Sequence, residues 1–244
     1  VYAARNGNLQ CFIYCYEIIG LAITTAVVDG AIMSGNIQLL DYIIERRAFI
    51  ETRHWKIAVM CNGIKTLKWL YRNQYMWDNN INLEFSPRIE TLKYLHSIRF
   101  PIGSTFSPYV YCGNLECIKF LHEAGYRWPD TICSDAAKCG HLNILKYAHE
   151  NGARWDESVY LKAISRNHMK CFTYAHENGC PWSEEVCITA ALSEKLEYLT
   201  YAHDHGCPWT SKIHLRVDKA FRPYKKLKVS KRRIRDYLAV HPPK

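Results

Sequence analysis

Three stretches in the second half of the chain repeat one another: HLNILKYAHENGARW (141–155), HMKCFTYAHENGCPW (168–182) and EKLEYLTYAHDHGCPW (194–209). Tyr147, Tyr174 and Tyr201 stand 27 residues apart, and His149, His176 and His203 keep the same step, as do Gly152, Gly179 and Gly206. Trp128, Trp155, Trp182 and Trp209 form a fourth column. Towards the N-terminus the aromatic column continues through Phe120, Tyr94, Trp69, Tyr42 and Tyr14, at intervals of 27, 26, 25, 27 and 28 residues. About eight units therefore cover nearly the whole chain, and self-similarity at this period is the signature of a stacked repeat array.

Residues 140–166 show what one unit encodes. Leu142, Leu145 and Tyr147 or Ala148 are apolar at helical spacing, which predicts a helix from Leu142 to about Asn151, closed by Gly152. Asp156 follows Trp155 and is placed to cap a further helix, Glu157 to Ser165, by accepting N–H groups of its first turn. Ser183 and Thr210 occupy the same place after Trp182 and Trp209, and these tryptophans are positioned to staple each helix onto its predecessor. The turn at Arg166–Asn167 matches Cys139–Gly140, Cys112–Gly113, Ser34–Gly35 and Asn6–Gly7, where glycine suits a positive φ at a helix end.

A helix pair of about 27 residues cannot offset its own conformational entropy alone. Stacking covers each unit's apolar face with the next, so the expected fold is all-α: a solenoid of about eight helix-turn-helix repeats over residues 1–217. With 48% hydrophobic residues the chain can bury such a core.

AAKCGHLNILKYAHENGA (136–153) resembles an ankyrin repeat from its first helix onward, with paired alanines, a Gly-His turn, a Leu-x-Ile-Leu-Lys helix and a closing Asn-Gly-Ala. Ala3–Ala4 before Asn6–Gly7–Asn8–Leu9, and Ala190–Ala191, repeat parts of it. The ankyrin Thr-Pro-Leu-His start and β-hairpin finger are missing, so the fingers are shortened or absent. The 27-residue form with HENGCPW (176–182) is similar to the degenerate ankyrin-type arrays of giant DNA viruses of amoebae. The resemblance covers about residues 1–215 and is strongest from 113 to 209. Residues 78–110 fit worst, since Phe85-Ser86-Pro87 replaces the turn glycine, and an irregular unit is expected there. The resemblance implies a non-catalytic protein-interaction scaffold that recruits a protein partner inside a host cell, in the cytoplasm or nucleus, or acts in the virus particle. It further implies contact through the concave first-helix surface, where alignment places Asp135, Lys138, Lys162, Arg166 and Thr189. The chain opens at Val1 inside a helical unit, so an upstream segment is expected, and in related viral arrays that segment can be an F-box.

The chemical motifs yield to the repeat. His149-Glu150, His176-Glu177 and His203-Asp204-His205 suggest zinc or acid–base pairs, yet a zinc-protease helix needs two histidines at i and i+4 with a glutamate between. Here the histidines recur once per unit and form a ladder, so packing or a turn hydrogen bond is expected. Eleven cysteines, an odd number with no C-x-x-C pair, read as reduced thiols in an intracellular compartment. No phosphate loop or nucleophile elbow occurs, so no enzymatic activity, metal, cofactor or small-molecule substrate is expected. The longest apolar run, Ile18 to Val28, is far short of the roughly 20 residues of a membrane span.

Charge supplies the second feature. Lys219, Arg222, Lys225, Lys226, Lys228, Lys231, Arg232, Arg233 and Arg235 lie together without an acidic residue. Removing these nine leaves 23 basic and 23 acidic residues, so the whole net charge of +9 sits there. One reading is an electrostatic patch for nucleic acid or an acidic surface, with Phe221 and Tyr224 available for stacking. The other is a solvated cap over residues 218–244, in which Ser230 to Val240 forms a helix turning Ile234, Tyr237 and Leu238 inward. The nucleic-acid reading would suit a structural or genome-packaging component of a virus particle.

Overall fold

A computed structural model describes residues 1–78, 87–102, 106–222 and 228–242. Among the described residues the regular structure is entirely helical, with no strand, and no helix is long and apolar enough to cross a membrane. The chain divides into two compact units, Val1–Pro108 and Tyr109–Lys244.

The first unit contains α1 (Tyr2–Arg5), α2 (Leu9–Ile13), α3 (Thr25–Ser34), α4 (Ile37–Glu45), α5 (Arg53–Met60), α6 (Ile64–Arg72) and α7 (Ile89–Ser97). A π-helical turn, Tyr14–Ile18, extends α2. The odd-numbered α1, α3 and α5 pack side by side, and α4, α6 and α7 form a second row. The first row buries Ala4, Val28, Ala31, Ile32, Trp55, Ala58 and Val59; the second buries Leu39, Leu40, Ile43, Leu67, Leu70, Leu92 and Leu95. Each fully buried aliphatic of this size contributes roughly 1.5–3 kcal/mol. The irregular stretch expected at 78–110 includes residues 79–86 and 103–105, which lie outside the described residues. In the remainder, α7 is a full second helix, whereas α8 (Ser107–Tyr111), which carries the boundary between the units, has five residues.

The second unit continues with α9 (Leu115–Glu123), α10 (Ile132–Cys139), α11 (Leu142–Glu150), α12 (Ser158–Arg166), α13 (Met169–Glu177), α14 (Glu184–Leu192), α15 (Leu196–Asp204), α16 (Ser211–Phe221) and α17 (Val229–Val240). First helices α10, α12, α14 and α16 pack in sequence order, while α9 meets α11, α11 meets α13, and α15 meets α17. Ala136, Ala137, Ala163, Ala190 and Ala191 are fully buried in the first row, where small side chains permit close helix approach. Tyr160, Phe172 and Tyr198 fill the space between rows, with the Phe172 ring 5.1 Å from each tyrosine.

The capping chemistry follows the repeat. Asp156 Oδ1 accepts the Ser158 N–H at 2.9 Å, Ser183 Oγ that of Glu185 at 3.2 Å, and Thr210 Oγ1 that of Lys212 at 3.3 Å. The first-helix turn needs a left-handed residue, and it is supplied by Gly140 at φ 76° and, one unit on, by Asn167 at φ 64°. Helix α16 runs unbroken across residues 217 and 218, where the boundary between repeat and basic cap was expected. With α17 it forms one more helix pair, closed over Ile234 and Leu238.

Candidate functional site

The conspicuous histidines lie where each unit of the second body meets the next. His122 Nδ1 is 3.1 Å from the Tyr147 hydroxyl, His149 Nδ1 is 3.0 Å from that of Tyr174, and His203 Nδ1 is 2.9 Å from that of Tyr237. Each imidazole also faces the tryptophan six residues later, at 4.5 Å for Trp128, 3.7 Å for Trp155, 4.3 Å for Trp182 on His176, and 4.2 Å for Trp209. The tryptophan in turn reaches forward: Trp128 Nε1 donates to the Asn151 carbonyl and Trp209 Nε1 to that of His241, both at 3.1 Å. One His-Trp-Tyr brace thus recurs along the array, and Tyr237 of α17 takes the place of a repeat tyrosine. Among the described residues no group of three or more His, Cys, Asp or Glu is arranged to hold a metal ion.

The Cys-Pro-Trp loops add a second tie. Cys180 Sγ donates to the Asp156 carbonyl and Cys207 Sγ to the Ser183 carbonyl, each at 3.2 Å, so each buried thiol binds the cap residue of the preceding unit. Burial pushes the Cys180 thiol up to about 12. The cap hydroxyls form a third tie: Ser183 Oγ donates to Glu157 at 2.5 Å, and Thr210 Oγ1 donates to Glu184. These motifs join one unit to the next.

The five aligned first-helix residues fall on three neighbouring helices of the second unit. Asp135 and Lys138 are half-buried on α10, Lys162 and Arg166 exposed on α12, and Thr189 half-buried on α14. Burial raises the pKa of the Cys139 thiol, the Asp135 carboxylate adds to this, and Lys138 and Arg166 oppose it. The same 27-residue step leads from Thr189 to Arg216 and from Leu192 to Lys219 on α16, both exposed. Arg216 belongs to this surface and was not singled out from the sequence; continuing the step by one unit finds it. It pairs with Glu185 through contacts of 2.6 and 2.8 Å, while Lys212 pairs with Glu184. Among the described residues Lys162, Arg166 and Lys219 have no carboxylate partner.

The basic segment is dispersed by the fold. Lys219 lies in the last turn of α16, Arg222 follows that helix, Lys228 precedes α17, and Lys231, Arg232, Arg233 and Arg235 lie on α17; Tyr224, Lys225 and Lys226 fall outside the described residues. Arg222, Lys228, Arg232, Arg233 and Arg235 are exposed. Lys231 is not, since its ammonium sits 5.1 Å over the Phe221 ring and 3.7 Å from Glu194. The expectation that Phe221 is available for stacking is corrected: only 2% exposed, it closes the core between α16 and α17.

The first unit holds its second helices together by other pairs. Trp69 Nε1 donates to Asp41 at 2.7 Å, and the Tyr42 hydroxyl donates to Glu17 at 2.5 Å beneath the Arg46 guanidinium, 3.3 Å from the ring centroid. No protein-family model matches the sequence, and no curated protein matches it.

Proposed function

We propose that the chain is a non-catalytic protein–protein interaction scaffold: an ankyrin-like α-solenoid of about eight short repeats whose first-helix surface holds a protein partner inside a host cell. The observation that carries this reading is the division of labour in the second unit. Histidines, cysteines and tryptophans are spent on joining neighbours, whereas the first helices lie in a row and carry non-repeating side chains at one structural position, exposed Lys162 and Arg216 and half-buried Asp135 and Thr189. A surface that varies on an invariant frame is what recognition of a specific partner requires. The viral affiliation rests on the HENGCPW form of the repeat alone.

Affinity capture with quantitative mass spectrometry tests the reading. The intact chain and a second-helix variant, Lys146→Glu with Lys170→Glu, recover the same protein in stoichiometric amount, and Asp135→Arg with Thr189→Arg loses it. Equal recovery by all three chains would refute it.

The reading as a particle or genome-packaging component draws on the exposed Arg232, Arg233 and Arg235. The burial of Phe221 removes one of its two stacking groups. Triple replacement of these arginines by glutamine is the suitable test, because ending the chain at Asp218 would also delete Phe221 from the core.

A further inference from the structure

The row of first helices in the second unit is cationic. Along α10, α12, α14 and α16 stand the cations Lys138, Lys162, Arg166, Lys212, Arg216 and Lys219 against the carboxylates of Asp135, Glu184, Glu185 and Asp218. Among the described residues Lys212 and Arg216 are neutralised by ion pairs with Glu184 and Glu185, which leaves Lys138, Lys162, Arg166 and Lys219 without one. Exposed cations gathered on one face repel one another and concentrate anions from solution.

The last turns of these helices border a cleft of about 240 Å³, lined by Asn167, Glu194, Lys195, Tyr198, Ser230 and Arg233 among others. Asn167 directly follows Arg166. Lys195 Nζ donates to Asn167 Oδ1 at 2.9 Å, and Glu194 is engaged by Ser230 and Lys231, which leaves Arg233 exposed at the rim with no ion pair among the described residues. Tyr198 is 1% exposed, and its hydroxyl has no hydrogen-bond partner among the described residues. An unsatisfied buried hydroxyl is costly and marks a place where an acceptor is missing.

We propose that this surface docks an extended acidic polypeptide segment, which runs across the first helices from Lys138 through Lys162 and Arg166 towards Lys219 and seats one carboxylate in the cleft beside Arg233. The proposal rests on the scaffold reading and specifies its partner's chemistry. Neighbouring packed helices lie about 8–10 Å apart, and a polyproline-II chain completes a turn in three residues while advancing about 3.1 Å per residue, so acidic side chains at every third position share one face and meet successive helices. Asp135, Glu184, Glu185 and Asp218 are interspersed among the cations. A peptide can place neutral residues against them. A nucleic-acid strand, charged at every nucleotide, cannot avoid them, and Phe221 is too deeply buried to stack on a base.

Fluorescence anisotropy with the full chain at physiological salt tests the proposal, using labelled peptides of four Glu-Ser-Ala repeats, a peptide of the same composition with its glutamates contiguous, and a twelve-nucleotide oligothymidine. The spaced peptide is expected to bind at least about fivefold tighter than the block peptide. Lys162→Glu with Arg166→Glu is expected to weaken it more than about tenfold, and Arg233→Gln about threefold or more, with thermal midpoints unchanged. Equal binding of the two peptides, indifference to the reversal, or tighter binding of the oligonucleotide would each overturn it. If the spaced peptide fails while affinity capture still yields a partner lost on the first-helix substitutions, the acidic chemistry is wrong and the scaffold reading survives. If capture yields no partner, the scaffold reading itself fails.

Discussion

The imidazole of His149 is sandwiched across a repeat boundary: its Nδ1 lies 3.0 Å from the hydroxyl of Tyr174 while its face rests 3.7 Å from Trp155. Its own helix supplies the ring, the following loop the lid, and the next helix pair the hydrogen bond. The stability of one unit therefore passes through its neighbour.

Tyr174→Phe keeps the ring and removes the hydroxyl. It is expected to cost about 1 kcal/mol, the worth of one hydrogen bond, and Tyr174→Ala clearly more, because the edge contacts to His149 and Trp155 go as well. Urea denaturation of the three chains checks the order.

Gly140 and Gly152 both have positive φ, at 76° and 81°, yet they differ in surroundings. A methyl group on Gly140 would stand 2.5 Å from His168 Nδ1, whereas nothing lies within 4 Å of one on Gly152. Gly152→Ala is expected to cost the left-handed strain alone, about 1–2 kcal/mol, and Gly140→Ala more than that. Equal losses by calorimetry would refute the close approach of His168.

His54 in the first unit is fully buried, accepts the Glu51 N–H on Nδ1 at 2.7 Å, and holds Nε2 3.1 Å from Asp29 Oδ1. Burial lowers its pKa, and the Asp29 carboxylate opposes this less strongly. Well above pH 6.5 the ring is neutral in folded and unfolded chains alike, and the group adds no pH dependence. As pH falls through the ordinary histidine value, the unfolded chain takes up the proton first, so stability drops until the folded pKa is passed. Urea midpoints are expected to be lower at pH 5.5 than at pH 7.5, with a shallower slope for His54→Gln.

Burial pushes the thiols of Cys133 and Cys180 up to about 12 and that of Cys171 up to about 11. Alkylation of the native chain read by mass spectrometry is expected to modify exposed Cys11, Cys61 and Cys112 first and to reach these three only on unfolding. Early labelling of Cys180 would show that the Cys-Pro-Trp loop does not pack as described.

Much of the second unit was legible in the sequence, because repetition shows the same physics several times. Leu142–Glu150 is a helix as its apolar spacing predicts, Ser183 and Thr210 cap their helices, and Asn167 takes the left-handed turn, whereas Asp156 stands one residue outside the N-cap Glu157 and reaches only the Ser158 N–H. The partner of each histidine was not legible. It lies 25 residues away for His149 and 34 for His203, at distances set by stacking, which periodicity alone does not contain. Composition made Phe221 look free, whereas the apolar stem of Lys231 and the approach of α17 bury it. In the first unit the histidine column is reduced to His96, and Asp41, Glu17 and Arg46 join its earlier units in pairs that no motif announces. The first-helix surface was legible only as aligned positions; its unpaired charge required the ion pairs of Glu184 and Glu185 to be seen.

Lysine acetylation footprinting of the chain with its captured protein partner tests the central claim most directly. Protection of Lys138, Lys162 and Lys219 on the first helices, with Lys146 and Lys170 on the second helices labelled as in the free chain, is the predicted result. Protection of Lys146 and Lys170 with the first-helix lysines unchanged would contradict it.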